Sequence, residues 1–436
     1  MEAELSPSVL GITMPENLAV GLMIAEHRAR CASRGCDFEY AAFALGQSPF
    51  PVPDVVAAAL REAASHGEYV PTLGIRPLLE QLPGFWARHF GMQRTADDFV
   101  VVPGAKAGIH LLLSMLRGPL LIPTPAWVGY GPLATLVGKA VERLPTDQAV
   151  GYKLDPERLE SHLRAASPGQ RLLILNSPNN PTGAVYTREE LAAIAAVCRR
   201  NGVLVISDEI YALSTYDPTQ FVSMAAVYPE GTFVVSGLSK FAAAGGYRLG
   251  LVVLPSECSA DHRQIFQKVG AATYSNVTTL VQFAAIPAFA DSPVMVEYLA
   301  DTRSLHALMA RELQRRLRAV PGARICTPDG GFYFMLDLND VAPRAAARGL
   351  ESSGEVAAAL LGHPIHVALL AGEATELPAE DLSFRVAFVD YDGAAAMRRY
   401  RAERPAGPVA EAQFVEAAAP RMTEGVERLS RWIEAL

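Results

Sequence analysis

The chain contains a series of short apolar segments, many of them β-branched, that alternate with amphipathic patterns. The clearest segments are Phe99–Val102, Leu120–Ile122, Leu172–Leu175, Val203–Ile206, Thr232–Val235 and Leu249–Leu254. Continuous apolar strands are typical of parallel sheets that have helices on both faces. We therefore expect an α/β fold whose main sheet is largely parallel and buried.

Helix signals lie between and after these segments. Thr187-Arg-Glu-Glu190 is a capping box, and Asn201-Gly202 is typical of a helix end. The segment Val294–Val320 predicts one long helix that leads out of the large domain. We expect two strands beyond it, a surface loop in the Pro/Gly-rich stretch Arg401–Pro408, and a final helix that ends at Leu436.

This order of elements predicts two domains. Residues 1–50 would form an N-terminal arm and part of a small domain, residues 51–295 the large domain, and residues 296–436 the rest of a smaller α+β domain. The two strands expected in that last part are Gly331–Leu336 and Phe384–Phe388. A chain of 436 residues is long enough for such a division.

Composition excludes several classes of protein. The net charge of −8 argues against a nucleic-acid partner, because phosphate binding needs a basic surface. No apolar run is long enough to span a bilayer, and the chain opens without a basic region followed by an apolar one, so we expect a cytoplasmic protein without a membrane partner. The five cysteines form no Cys-x-x-Cys pair and no zinc-like spacing, which predicts free thiols and no metal.

A lysine at a strand end indicates the chemistry. In the segment Ser236–Gly250, Lys240 follows Ser239, and Arg248 comes eight positions later among glycines. A lysine amine can hold an aldehyde as a Schiff base, and a guanidinium offers a planar fork of donors to a phosphate. This segment therefore predicts a covalently bound aldehyde cofactor that carries a phosphate.

Other polar motifs follow the remaining strands, and in such sheets ligands bind at the carboxyl ends of the strands. The Asn-Pro-Thr-Gly turn that begins at Asn180 fixes an amide at the end of one strand, and Asp208 follows the next. A carboxylate beneath a pyridine nitrogen keeps that nitrogen protonated. Pro103–Gly108 opens a helix, whose free N–H groups can bind phosphate.

Together with Pro123–Tyr130, these motifs resemble fold-type I pyridoxal-phosphate enzymes. The likeness is to aminotransferase class I/II, the aspartate aminotransferase superfamily, which includes 1-aminocyclopropane-1-carboxylate synthase-like members. It extends from about Gly46 to Arg385. The resemblance implies a seven-stranded-type main sheet, a smaller domain formed by both ends of the chain, and pyridoxal 5'-phosphate as the cofactor.

The resemblance also implies roles for individual residues. Lys240 would form the Schiff base and move the α-proton, with Asp208 and Tyr211 as further catalytic residues. The other cofactor-binding positions are Ala105 and Lys106 through their amides, Ser239 and Arg248 at the phosphate, Trp127 stacked on the ring, Asn180 and Tyr211 at the ring oxygen, and Tyr69 at the phosphate of the neighbouring subunit. Arg385 would bind the substrate α-carboxylate, with Asn180 and Gly46 beside it.

Three segments depart from the family pattern. Gly237 stands where a phosphate-binding serine or threonine is common, so that Ser236 or Ser239 would take its place. Leu45-Gly-Gln-Ser-Pro49 replaces the usual Gly-x-Gly-Glu-Pro, and Leu370–Thr375 lacks the usual Pro-Gly. The last two departures lie where substrates are selected, so they affect the choice of substrate more than the cofactor.

The function implied is that of an enzyme acting on an amino acid through an external aldimine and an α-carbanion. An aminotransferase that passes the amino group to a 2-oxo acid is expected, in a homodimer with shared active sites. The alternative is γ-elimination or γ-replacement on S-adenosylmethionine, or related cyclising or oxidising chemistry in secondary metabolism. A transcription regulator with an aminotransferase-like domain is disfavoured, because too few residues precede Gly46 for a winged-helix module.

Overall fold

The computed structural model describes residues 7–12, 20–26, 29 and 39–436. Cys31 and Cys36 lie outside these residues. The other three cysteines, Cys198, Cys258 and Cys326, are free thiols. Cys198 and Cys326 are buried, and burial raises the pKa of each thiol to about 12.

Thirteen strands lie in the described part of the chain. In chain order they are β1 (Ala41–Ala42), β2 (Phe99–Val102), β3 (Leu120–Thr124), β4 (Val141–Pro145), β5 (Leu172–Asn176), β6 (Leu204–Asp208), β7 (Thr232–Gly237), β8 (Gly250–Val253), β9 (Arg324–Ile325), β10 (Tyr333–Asp337), β11 (Val367–Ala368), β12 (Leu370–Ala371) and β13 (Ser383–Ala387). The predicted segments all contain a strand, within a few residues at each end.

Seven of these strands form the main sheet, in the order β2-β8-β7-β6-β5-β3-β4. Strands β3 to β7 pair in parallel, and β8 runs antiparallel to both of its neighbours. The inner strands are buried along their length, as their continuous apolar sequence predicts. The expected mainly parallel, helix-covered sheet is confirmed.

Helices cover both faces of this sheet and build the rest of the molecule. They are Pro7–Leu10, Asp54–Glu62, Arg76–Phe90, Ala105–Met115, Tyr130–Leu136, Pro156–Ala165, Arg188–Asn201, Ala260–Thr273, Thr279–Ala288, Pro293–Arg318, Ala342–Ala346, Ser353–Leu361, Gly393–Glu403, Pro408–Ala418 and Pro420–Ala435, with a further helical stretch at 20–26. The capping box holds as predicted: the Thr187 and Glu190 side chains each bond the other's backbone N–H, and Gly202 ends that helix in the left-handed region.

The second part of the chain has its own antiparallel sheet, in the order β12-β13-β10-β9. Strand β13 carries Arg385, which lies opposite Met335 on one side and Leu370 on the other. The N-terminal strand β1 pairs with β11, so the beginning of the chain contributes to this part of the molecule, as expected. The domain boundaries at residues 50 and 295 stay a prediction.

One loop is shorter than the sequence indicates. Arg401–Pro408 is predicted as a loop, but the helix Gly393–Glu403 enters it and the next helix begins at Pro408. Arg404 ends the first of these helices with φ +43. Its side chain and that of Arg401 bind the buried Asp301, and this ion-pair cluster holds the segment against the long helix Pro293–Arg318.

No single helix in the described ranges has the length and apolar character needed to cross a membrane. Among the described residues, one bent pair of helices, Thr279–Ala288 and Pro293–Arg318, whose axes differ by 81°, meets that measure of length and composition when taken together.

Candidate active site

The carboxyl ends of β5, β6 and β7 face a cleft of about 540 Å³. Every predicted site residue lines this cleft except Tyr69, whose side chain lies in an exposed segment and is 90% accessible. The predicted residues that line it are Gly46, Ala105, Lys106, Trp127, Asn180, Asp208, Tyr211, Ser239, Lys240, Arg248 and Arg385. Residues from the main sheet and from the antiparallel sheet therefore meet in one cavity.

Lys240 lies three residues beyond the end of β7. Its Nζ donates to the Gly46 carbonyl oxygen at 3.0 Å and lies 5.2 Å from the ring centroids of both Tyr211 and Phe332. The amine is thus held at the boundary between the two parts of the molecule, against aromatic faces that attract a cation.

Gly237, which stands where a serine or threonine is common, is explained by the close packing of strands β7 and β8. A Cβ on Gly237 would lie 2.6 Å from the Leu249 carbonyl oxygen and 2.8 Å from the Cα of Gly250, so a side chain there would force β7 and β8 apart. Of the two neighbouring serines, Ser239 lines the cleft and Ser236 does not. Ser239 is therefore the hydroxyl placed to replace the missing one.

Asp208 is the last residue of β6 and is buried. Its Oδ2 accepts a 2.6 Å hydrogen bond from the Tyr130 hydroxyl, and its Oδ1 accepts from the Ile210 amide at 3.3 Å. Burial raises the pKa of Asp208 above its usual range, while the bond from Tyr130 opposes that rise. A buried carboxylate with one side committed to a phenol is suited to pair with a cationic ring nitrogen.

Asn176 fixes the backbone around this carboxylate. Its Nδ2 donates to the Asp208 carbonyl oxygen and its Oδ1 accepts from the Asn180 amide, both at 2.7 Å. The end of β5 and the turn after it are thereby tied to the end of β6.

The helix Ala105–Met115 points its N-terminus into the cleft. It begins after Gly104, which has φ +87, and the first N–H groups of a helix have no partner within it. Arg248 lies beside this turn with φ +55, donates to the Gly245 carbonyl oxygen at 2.7 Å, and occupies the space that a Cβ on Gly104 would take. Free amides beside a guanidinium make a phosphate site.

Lys106 adds a second cation at this end of the cleft. Its Nζ lies 5.1 Å from the centroid of the Trp127 ring. Partial burial lowers the pKa of Lys106, and the nearby charge of Arg248 lowers it further.

Arg385 projects from β13 into the cleft and is buried. Its Nη1 donates to Asn180 Oδ1 at 3.1 Å, and its Nη2 donates to the Ala44 carbonyl oxygen at 2.6 Å. The guanidinium carbon lies 4.7 Å from the centroid of the Tyr333 ring. These contacts fix the plane of the guanidinium, which is what two-pronged recognition of a carboxylate requires.

Two tyrosines in the cleft are functional candidates that the sequence analysis missed. Tyr130 bonds Asp208, and the Tyr333 hydroxyl lies 3.1 Å from the Tyr211 hydroxyl and 3.2 Å from the Gly46 carbonyl oxygen. Burial raises the pKa of Tyr211, and Tyr333 raises it further. Tyr130 lies three residues after Trp127, within the motif Pro123–Tyr130, so the sequence offered a reason to consider it. No sequence motif indicates a role for Tyr333.

Comparison with known proteins places this site in a family. Residues 40–393 match the family described as aminotransferase class I and II. The chain is 31% identical over 341 residues to an aspartate aminotransferase of Geobacillus stearothermophilus, which covers 76% of this chain and 83% of that protein. It is also 31% identical over 326 residues to an aspartate/prephenate aminotransferase of Thermus thermophilus, with 71% of this chain and 80% of that protein covered.

Solved structures agree with the sequence matches. An aspartate aminotransferase of Thermus thermophilus with maleate superposes with a TM-score of 0.81 at 25% identity, over 99% of this chain and all of the other. The chain belongs to the aminotransferase class I and II family. It is an aminotransferase-fold enzyme that depends on pyridoxal 5'-phosphate, and the γ-elimination alternative is not favoured by these relatives.

The residues of the cleft fit that cofactor. They supply a primary amine for its aldehyde, a buried carboxylate for its ring nitrogen, a flat indole for its ring face, and a helix N-terminus with an arginine for its phosphate. In the described part of the chain, no cluster of His, Cys, Asp or Glu side chains is arranged to hold a metal ion.

Proposed function

We propose that the enzyme transfers the amino group of a dicarboxylic amino acid to a 2-oxo acid, with Lys240 as the proton-moving base. The observation that carries this proposal is that Lys240, Asp208 and Arg385 open into a single cleft. An amine, a buried carboxylate and a fixed guanidinium are the groups needed to hold the cofactor, activate it and orient an amino acid.

Each cofactor contact has a residue to make it. Lys240 would hold pyridoxal phosphate covalently, Asp208 would pair with its ring nitrogen, and Asn180 and Tyr211 would donate to its ring oxygen. Trp127 would cover the ring, with the phosphate bound by the amides of Ala105 and Lys106, the hydroxyl of Ser239 and the guanidinium of Arg248. When bound, the cofactor supplies an electron-poor ring that accepts electrons from the substrate α-carbon.

The chain's own groups then orient the substrate and move its proton. Arg385 binds the α-carboxylate with both terminal nitrogens, beside Asn180 and the Gly46 backbone. Lys240 Nζ, once free of its covalent bond, would take the proton from the α-carbon of the amino acid. It would then deliver that proton to the cofactor carbon that carries the aldehyde. Aromatic faces around Lys240 exclude water from that proton transfer.

A third cation supports a donor with two carboxylates. Arg248 and Arg385 would be used by the phosphate and the α-carboxylate, which leaves the Lys106 ammonium beside Trp127 for a second carboxylate. Several relatives are named as aspartate or aspartate/prephenate aminotransferases, which supports the same class of donor.

Steady-state kinetics with three donors test this assignment. Lys106→Ala should raise KM for aspartate and glutamate by about tenfold, the loss of one charge-assisted contact, and leave KM for alanine nearly unchanged. Equal changes for all three donors, or a loss of cofactor affinity alone, would place the Lys106 side chain at the phosphate instead.

Lys240→Ala should remove the borohydride-reducible absorbance of the bound cofactor, and an intact chromophore would place the covalent bond elsewhere.

We also propose that the active enzyme is a homodimer and that Tyr69 reaches the phosphate in the partner's cleft. The side chain of Tyr69 does not line the cleft of its own chain and is almost fully exposed, which supports a role toward a second copy. A cytoplasmic location is proposed with it, on the sequence features described above.

A further inference from the structure

Four polar groups form a connected chain behind the cofactor position. The Lys240 ammonium and the Tyr333 hydroxyl both bond the Gly46 carbonyl oxygen, at 3.0 and 3.2 Å, and the Tyr333 hydroxyl also lies 3.1 Å from that of Tyr211. Lys240 and Tyr211, the two ends of this chain, are the residues to which the proposed function gives the covalent bond and the ring-oxygen bond.

Proton counting gives the direction of the bonds in the middle of this chain. A carbonyl oxygen only accepts, so the contact between Tyr333 and Gly46 requires the Tyr333 proton, and the two lone pairs of that oxygen let it accept from Lys240 as well. With its proton committed, the Tyr333 oxygen can only accept from Tyr211, and it then competes with the cofactor ring oxygen for the Tyr211 proton.

We propose that Tyr333 is a positioning residue that sets the direction of the Tyr211 hydroxyl. Held by its own bond to the Gly46 carbonyl, Tyr333 accepts from Tyr211 and so weakens the bond from Tyr211 to the cofactor ring oxygen. This inference rests on the proposed function, and it adds a residue to which that function gives no role.

The surroundings of Tyr333 hold its hydroxyl in this position. Its side chain is 2% exposed, it packs against the rings of Tyr211 and Phe332, and the Arg385 guanidinium lies over its face. Gly46 is a glycine where a Cβ would overlap the Tyr333 hydroxyl, so the loop can approach that oxygen only without a side chain. The charged or titratable groups that face the two phenols are Lys240, Arg385, Asp208 and Tyr130.

The test is a pH titration of the absorbance of the lysine-bound cofactor in the holoenzyme. A donor at the ring oxygen stabilises the form whose imine nitrogen is unprotonated, because that form carries the greater negative charge on the oxygen. Tyr333→Phe keeps the ring beneath Arg385 and ends the competition for the Tyr211 proton. We therefore expect the chromophore pKa to fall by about half a unit to one unit, the size of one net hydrogen bond.

The same substitution in a second variant shows whether the shift in chromophore pKa depends on Tyr211. The shift should vanish when Tyr333→Phe is made in a Tyr211→Phe enzyme, and it should be absent from Tyr298→Phe, which removes another buried phenol that bonds a backbone carbonyl, that of Pro51 at 3.0 Å. An unchanged or raised chromophore pKa in Tyr333→Phe, or an equal shift without Tyr211, would overturn this role of Tyr333. A chromophore that persists in Lys240→Ala would instead overturn the proposed function.

Discussion

At the scale of single residues, the hydrogen bond from Tyr130 to Asp208 sets how well the buried carboxylate stays ionised. Tyr130→Phe removes a donor at 2.6 Å and leaves burial to raise the pKa of Asp208 further. Because a protonated Asp208 cannot pair with a cationic ring nitrogen, we expect the dissociation constant of pyridoxal phosphate to rise roughly ten- to a hundredfold, the worth of a charge-assisted bond. Equilibrium dialysis of the cofactor measures this, with Tyr186→Phe, a buried phenol outside the cleft, as the control. Equal affinities in Tyr130→Phe and wild type would refute it.

Glu209, next to Asp208 in the sequence, gives a prediction about pH. It is buried, and burial raises its pKa from the usual 4.5 to about 7, although its Oε1 accepts bonds from Ser207, Ser223 and the Met224 amide. A folded-state pKa above the unfolded one means that folding takes up a proton. The contribution of Glu209 to the free energy of unfolding is therefore fully present below about pH 4.5 and is lost as the pH rises to about 7.

Glu209→Gln should remove this pH dependence, because the amide oxygen still accepts those bonds and does not titrate. Relative to wild type, the variant should gain up to about 3 kcal/mol of unfolding free energy between pH 4.5 and pH 8. Urea unfolding of the cofactor-free protein at several pH values measures the difference. Parallel curves for the two proteins would show that Glu209 is ionised throughout and that the pKa assignment is wrong.

The residue scale also shows what the sequence could not predict. Asp208 ends a strand, and Asn180 and Lys240 follow strands within a few residues, so the rule for parallel sheets brings them together. Tyr333 bonds Tyr211 across 122 positions and projects from a strand of a different sheet. Its hydroxyl is one atom in an apolar run, and no local pattern distinguishes it from a core tyrosine.

At the scale of elements, the contact between the Gly46 loop and strand β10 leaves no space for a single added methyl group. Gly46→Ala would place a methyl group on the Tyr333 hydroxyl, so the loop must move and its carbonyl must leave Lys240. We expect a loss of kcat/KM of at least about tenfold with the fold retained. Gly67→Ala is the matched control, since a Cβ there meets no atom within 4 Å. Similar kinetics in both variants would remove the Gly46 carbonyl from the site.

The sequence predicted the strands that are buried along most of their length and missed β4, at one edge of the main sheet. The buried strands β5, β6 and β7 each contain a run of three or four apolar residues and were predicted from that run. Strand β4 contains Glu142 and Arg143, and it lies at the end of the sheet with most of its residues partly exposed. The two-residue strands β1, β9, β11 and β12 are too short for any periodicity to register.

At the scale of the whole molecule, the shared active site of the proposed dimer predicts complementation between two defective chains. In a heterodimer of Lys240→Ala and Tyr69→Ala, one cleft would combine an intact Lys240 with the partner's intact Tyr69, and the other cleft would have neither. Mixing and refolding the two variants should therefore give one intact cleft in each heterodimer and so restore aminotransferase activity. Activity no greater than the sum of the separate variants would confine Tyr69 to its own chain or remove it from the site.

Amino-group transfer is tested most directly by a single-turnover absorbance spectrum of the holoenzyme mixed with aspartate or glutamate. We expect the absorbance of the lysine-bound cofactor to be replaced by that of pyridoxamine phosphate, and the matching 2-oxo acid to restore it. If no amino acid produces that form while S-adenosylmethionine releases methylthioadenosine, the cleft catalyses γ-elimination, and the assignment of amino-group transfer is wrong.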